Sequence, residues 1–129
     1  MIAIGIGARS GVTADEIGAA ILKAELAAES RAHVIATFAE AAFHESAREA
    51  ANRAVTPFQS LSLAELRQRS DDCQTHSERS LAMHGVVSIS EAAALAAAGE
   101  GSRLIVPRIV SGAVTAAAAV SKDHPTGAP

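Results

Sequence analysis

The sequence predicts an α/β fold with a mainly parallel sheet covered on both faces. Three observations carry this. Short apolar runs alternate with helix-length stretches over 129 residues, a length that suits one compact domain. Three of the helical stretches open on a hydroxyl residue followed three positions later by glutamate. Alanine makes up about a quarter of the chain, which favours helices that dock closely.

Residues 1–7, "MIAIGIG", read as a buried strand ending in glycine. Thr13 and Glu16 form a capping box, in which the hydroxyl accepts a free N–H and the carboxylate reaches back. The helix it opens runs to about Ala28, with Ile17, Ile21, Ala24 and Ala28 on one face. "HVIATF", 33–38, is rich enough in β-branched residues to be a second strand, and a helix over 40–53 follows. "VTPFQ", 55–59, reads as a short third strand, with Pro57 pointing to an edge or an end. Ser62 and Glu65 cap a short helix to about Arg69. The polar stretch 70–78 reads as a surface loop, and Ser77 caps a helix over 78–84. Ser88 and Glu91 form a third capping box, opening an alanine-rich helix that ends at Gly99. Residues 103–110 and 113–120 are the last two strands, either a hairpin or two neighbours across a gap. The polar tail, 121–129, reads as disordered.

Composition narrows the function. The net charge of −3 gives no overall basic field for nucleic acid or acidic lipid. With no Trp, no Tyr and three Phe, base stacking is not expected. Cys73 is the one cysteine and cannot form an internal disulfide, which fits a reducing cytoplasm. No signal peptide or membrane span is read.

The opening loop, "GIGARSG", places Gly5, Gly7 and Gly11 between strand and helix. The spacing departs from a dinucleotide fingerprint, since Ser10 stands where a small residue is needed and no acidic residue ends the second strand. No Lys-Ser/Thr pair makes it a phosphate loop. A plain tight turn is one reading. Arg9 supports another: exposed N–H groups, a helix N-terminus and a guanidinium together suit a carboxylate. Arg108, after Pro107, can reach the same crevice, and two arginines there favour a ligand with several carboxylates. Thr37 falls at the C-terminal end of the second strand, where open α/β sheets place ligands. Thr115 lies in the last strand amid alanines. Glu45 and Glu91 are the candidate acid–base carboxylates. Against these stand a solvated face for Glu45, beside Arg48 and Glu49, and the capping role for Glu91. Asp72, Cys73 and His76 lack a second ligand cluster, so no metal site is read. Cys73 has no arranged base, so nucleophilic catalysis is not read either.

Several stretches, in order, resemble the CobE/CbiG C-terminal domain family of cobalamin biosynthesis. They are "IGIGARSGVTADEIGAAI", "ATFAEAAFHE", "VSISEAAALAAAGEGSRLIVPR" and "GAVTAAAAV", spanning about residues 2–120. Gly5, Gly7, Arg9 and Gly11 match the family's first loop, where Ala8 replaces a common cysteine. Thr37, Ser77, Glu91 and Thr115 match family positions, and Arg108 replaces a usual lysine. Glu45 matches a family glutamate after a shift of one residue, and the lysine that usually precedes it is missing.

The resemblance implies a three-layer α/β/α sandwich over residues 1–120. It implies that the domain binds a corrin-ring intermediate as a carrier or accessory to pathway enzymes, with no cofactor. Ligand contacts then fall to Gly5, Gly7, Arg9, Ser10, Gly11, Thr37, Ser77, Arg108 and Thr115. In longer relatives the domain is joined to another, and the whole opens a δ-lactone and releases a two-carbon aldehyde. On that alternative Glu45 or Glu91 activates water, with Arg9 or Thr37 stabilising the oxyanion. A nucleotide-binding module is the third reading.

Overall fold

The computed structural model describes residues 1–123. Its strands are β1 (Ile2–Ala8), β2 (Val34–Phe38), β3 (Phe58–Leu61), β4 (Arg103–Ser111) and β5 (Val114–Val120). Its helices are α1 (Ala14–Ala28), α2 (His44–Arg53), α3 (Leu63–Arg67), α4 (Glu78–His84) and α5 (Ile89–Ala98). A 3₁₀ turn, Ser70–Asp72, follows α3.

The strands form one sheet in the order β3-β2-β1-β5-β4. The fold is the expected α/β sandwich, and the sheet is mixed. β1–β2 and β2–β3 pair in parallel, whereas β1–β5 and β5–β4 are antiparallel. The antiparallel half exists because β4 and β5 form a hairpin, the first of the two arrangements open to them. Helix α5 covers β1, β5 and β2 on one face. Helices α1 and α2 pack on each other, α1 against β5 and β4, α2 against β2 and β3. Side chains alternate across a strand. Gly5 and Gly7 lie under α5, so Ile2, Ile4 and Ile6 face the α1–α2 layer, all nearly fully buried.

The capping boxes of Thr13–Glu16 and Ser62–Glu65 are both complete. The third is only half made. Ser88 Oγ accepts from Glu91 N, but the Glu91 carboxylate turns away to other partners.

Two boundaries move for identifiable reasons. Helix α2 starts at His44 rather than residue 40, because Ala41 N and His44 N close turns onto Phe38 O and Ala41 O. Strand β3 spans 58–61 rather than 55–59. Val55 and Thr56 are used to end α2, donating to Asn52 O and Ala51 O, and β2 pairing begins at Phe58. β3 is an edge strand, as Pro57 suggested. The stretch 70–78 is less of a surface loop than expected, since Cys73, Thr75 and Ser77 are half-buried. Of the expected tail, Ser121 is tied to the start of the chain: its N–H donates to Met1 O and its Oγ accepts from the Met1 amine. Residues 124–129 lie outside the described residues. No single helix among the described residues is long and apolar enough to cross a membrane.

Candidate functional site

The glycines of the first strand are explained by packing. A Cβ on Gly5 would stand 2.0 Å from Ser90 O and 2.5 Å from Ala94 N. Only glycine lets the α5 backbone come this close. A Cβ on Gly7 would stand 2.7 Å from Thr115 Oγ1. Beyond them the loop is open: Arg9, Ser10 and Gly11 are exposed, and Gly11 turns the chain at φ 86°.

At the C-terminal end of β1, four residues share one level and one face. Gly7 pairs with Thr115, and Thr115 with Val110. The β1–β2 register, extended two residues past Gly5–Ala36, sets Phe38 beside Gly7. This row lies on the α5 side, just past the helix N-terminus. Val110 is 53% exposed and Thr115 half-buried, so the β5–β4 end of the row is open to solvent. His84, the last residue of α4, packs against Phe38 with centroids 5.2 Å apart and the rings tilted by 54°.

Arg9 and Arg108 flank the row. Arg9 follows β1, its N–H on Ala113 O. Arg108 sits at a register shift of β4, between Val106 and Ile109. Along the chain Arg9 lies two residues past Gly7, and Arg108 two residues before Val110, within the register shift. Both are exposed, and no hydrogen bond or ion pair engages either guanidinium among the described residues.

Glu91 organises the region from beneath. It is fully buried, and its carboxylate accepts four hydrogen bonds. Oε1 takes Gln74 N at 2.9 Å and Thr75 N at 2.8 Å. Oε2 takes Thr75 Oγ1 at 2.9 Å and Arg108 N at 2.8 Å. Every partner is a donor, as an acceptor-only carboxylate requires. One side chain of α5 therefore fixes both the 73–77 segment and the irregular stretch of β4 that carries Arg108. Ser77 joins the same region, its N–H on Val87 O at 2.9 Å, while its hydroxyl caps α4.

Thr37 and Glu45 lie elsewhere. Thr37 is buried on the α1–α2 side and donates to Ile6 O at 2.8 Å, the bond a hidden hydroxyl needs. Glu45 is exposed on the first turn of α2, 3.7 Å from Arg48. The two candidate carboxylates thus stand on opposite faces of the sheet. Beside Glu45 is a contact without any motif in the sequence: His44 Nε2 lies 2.6 Å from Ser60 Oγ, and His44 Nδ1 lies 3.4 Å from Glu45 Oε1. Helix and strand meet there only in the fold.

Cys73 is half-buried, its thiol directed at Arg69 O and Ser88 O. Burial, then the Glu91 and Asp72 carboxylates, push its pKa up from 9.0 to about 12. Among the described residues no three His, Cys, Asp or Glu side chains gather as a metal ion would need. Two shallow depressions, of about 520 and 650 Å³, lie around Arg69 and Ser102 and along Leu22 and Leu26. Neither touches the row at the end of β1.

Residues 2–119 match the family described as Cobalamin synthesis G C-terminus, and the chain belongs to it. Three solved structures are similar. Cobalamin biosynthesis protein chiG from Agrobacterium tumefaciens str. C58 is 38% identical, with a TM-score of 0.78, over 95% of this chain and 100% of that one. CobE, a protein from the cobalamin (vitamin B12) biosynthetic pathway, has a TM-score of 0.84 over 92% and 89% of the two chains, and at 24% identity supports the fold. A cobalamin biosynthesis protein G homolog from Sulfolobus solfataricus is 25% identical with a TM-score of 0.67, over 95% of this chain and 37% of that one. No curated protein matches the chain.

Proposed function

We propose that this protein binds a corrin-ring intermediate of cobalamin biosynthesis, as a carrier or accessory to the pathway enzymes. The family places it among cobalamin-biosynthesis proteins. The observation that carries the finer reading is the pair Arg9 and Arg108. Two exposed guanidiniums without side-chain partners flank an open row of small and apolar side chains. Corrin intermediates present acetate and propionate carboxylates around an apolar macrocycle. Arginine forks match such carboxylates, and Val110 and Thr115 offer a surface for the ring edge. Glu91 serves this site by holding Arg108 in place. Both its oxygens accept from protein donors, which supports this positioning role over that of a base.

The test is a visible-absorption titration with hydrogenobyrinic acid, followed over time. A saturable shift without product supports a binder. No shift and no affinity refute it.

A second reading, opening of a lactone on the macrocycle, is favoured by the Ser60–His44–Glu45 contact. There His44 takes a proton from Ser60 or from water, whose oxygen attacks the lactone carbonyl, and returns it to the ring oxygen as the acyl C–O bond breaks, while Glu45 orients the imidazole; where Ser60 attacks, water then hydrolyses the acyl–serine ester. Aldehyde appearing when the titration is repeated with an earlier corrin intermediate that still carries the lactone, and falling about 100-fold or more in Ser60→Ala or His44→Gln, supports it. Equal turnover in those variants refutes it.

A further inference from the structure

Strand β3 is an edge of the sheet, paired only with β2. In a parallel ladder, alternate residues turn their main-chain N–H and C=O groups to the partner strand. Here Pro57 O and Leu61 O accept from Ile35 N at 2.9 Å and Ala39 N at 2.8 Å. Pro57, Gln59 and Leu61 therefore face β2, and Phe58 and Ser60 turn their main-chain groups outward. Ser60 is exposed, and no group among the described residues takes its N–H.

The side chain of this same residue is the one that meets His44. Ser60 Oγ lies 2.6 Å from His44 Nε2, and His44 Nδ1 lies 3.4 Å from Glu45 Oε1. A hydroxyl donating to Nε2 leaves the ring proton on Nδ1, which faces the carboxylate. Nucleophile, base and orienting group thus stand in order. A serine that supplies both the attacking oxygen and an N–H for the oxyanion is a recurring device of acyl transfer. Phe58, two residues back, lies on the same side of the strand. It is half-buried, with the His44 ring edge-on at 5.2 Å and the Arg48 guanidinium 5.9 Å from its centroid. Its exposed part is apolar surface beside the hydroxyl. All of this lies on the α1–α2 face, away from the row at the end of β1.

We propose that the open edge of β3 is a covalent acyl-transfer site for small esters of apolar carboxylic acids, with Ser60 as nucleophile, its own N–H as oxyanion donor and Phe58 as the acyl-chain contact. It rests on the lactone reading for the roles of Ser60 and His44 alone, and it needs no macrocycle. Ser60 Oγ bonds to the acyl carbon as its proton passes to His44 Nε2, and the oxyanion takes the Ser60 N–H. The acyl C–O bond then breaks, and His44 returns the proton to the departing alcohol oxygen. Water, losing a proton to His44, attacks the acyl–serine carbon. The acid leaves, and Ser60 Oγ regains the proton.

The experiment treats the full chain with a fluorophosphonate, and separately with para-nitrophenyl acetate and butyrate. The fluorophosphonate is expected to add once, at Ser60 by peptide mass mapping, with fluoride leaving. His44→Gln should slow this labelling about 100-fold or more. In the adduct the Ser60 amide proton is expected to move downfield, since the phosphonyl oxygen stands where the oxyanion would. Butyrate is expected to turn over faster than acetate, and Phe58→Ala to remove that preference, worth about tenfold. A contact that merely ties α2 to β3 would show none of this. An unlabelled Ser60, equal labelling in His44→Gln, an unmoved amide, or equal use of the two esters by the wild type would each overturn the site. The lactone-bearing corrin intermediate separates the two readings. Ser60 labelled without aldehyde release leaves this site and removes the lactone reading. Aldehyde with Ser60 unlabelled removes this site and leaves water as the group that attacks the lactone.

Discussion

Glu91 shows how far one residue's surroundings can decide its role. Glu91→Gln keeps the shape but sets an amide N–H against at least one backbone donor. Thr75 can turn its hydroxyl to adapt, whereas Arg108 N and the Gln74 and Thr75 N–H groups cannot. We expect a loss of about 2–3 kcal/mol in urea denaturation, together with weaker corrin binding through the displaced Arg108. Gly5→Ala meets backbone rather than a flexible side chain, so about 3 kcal/mol or more should be lost, or the chain should fail to fold. Cys73 tests electrostatics. With its pKa at about 12 against 9.0, its thiolate fraction at pH 8 falls about a thousandfold, and alkylation by iodoacetamide should slow accordingly. The folded state holds this proton more tightly than the unfolded chain. The stability it contributes is therefore complete below pH 9.0 and is lost as pH rises toward about 12. Cys73→Ser should show less alkaline destabilisation.

At the scale of elements, α5 is held at both ends. Its N-terminal turn is fixed by Ser88 and Glu91. At its C-terminus Arg69 Nη1 donates to Leu95 O, Gly99 O and Ser102 Oγ, and Nη2 to Ser102 O. A guanidinium there satisfies terminal carbonyls and complements the helix dipole. Arg69→Ala should cost about 2–3 kcal/mol, read by urea denaturation. Between α2 and β3, Val55 is 88% exposed with φ 53°. A β-branched side chain is strained in that left-handed region. Val55→Gly should stabilise the protein by about 1 kcal/mol, seen as a higher melting temperature. The helices with complete capping boxes were readable because hydroxyl and carboxylate act within four residues. The starts of α2 and β3 were not, because turns and the β2 pairing across the chain set them.

At the scale of the molecule, the sheet order brings β1 to the centre, with a parallel half on one side and the hairpin on the other. That order places the end of β1, the α5 N-terminus, Thr115 and Arg108 toward one end of the sheet, though they are far apart in the chain. Arg9→Ala combined with Arg108→Ala should leave stability within about 0.5 kcal/mol, since both are exposed and unpaired. It should weaken hydrogenobyrinic acid about tenfold or more, with a smaller dependence on salt. A thermal shift with the same ligand should shrink in step, because stabilisation follows occupancy.

The sequence by itself determined the alternation of strands and helices, the caps, the buried first strand and the family. Those depend on periodicity and on contacts a few residues apart. Even the candidate positions Gly5, Gly7, Glu91, Arg108 and Thr115 could be named from it. Only the tertiary structure decided what they do. Gly5 and Gly7 make room for a helix some 80 residues later. Glu91 leaves its local cap for donors on two other segments. Thr37 and Glu45 fall on the other face of the sheet. Ser90 is buried with its hydroxyl unbonded among the described residues. Hydrogen bonding is local in space rather than in sequence, so a side chain's role is settled by what the fold brings against it.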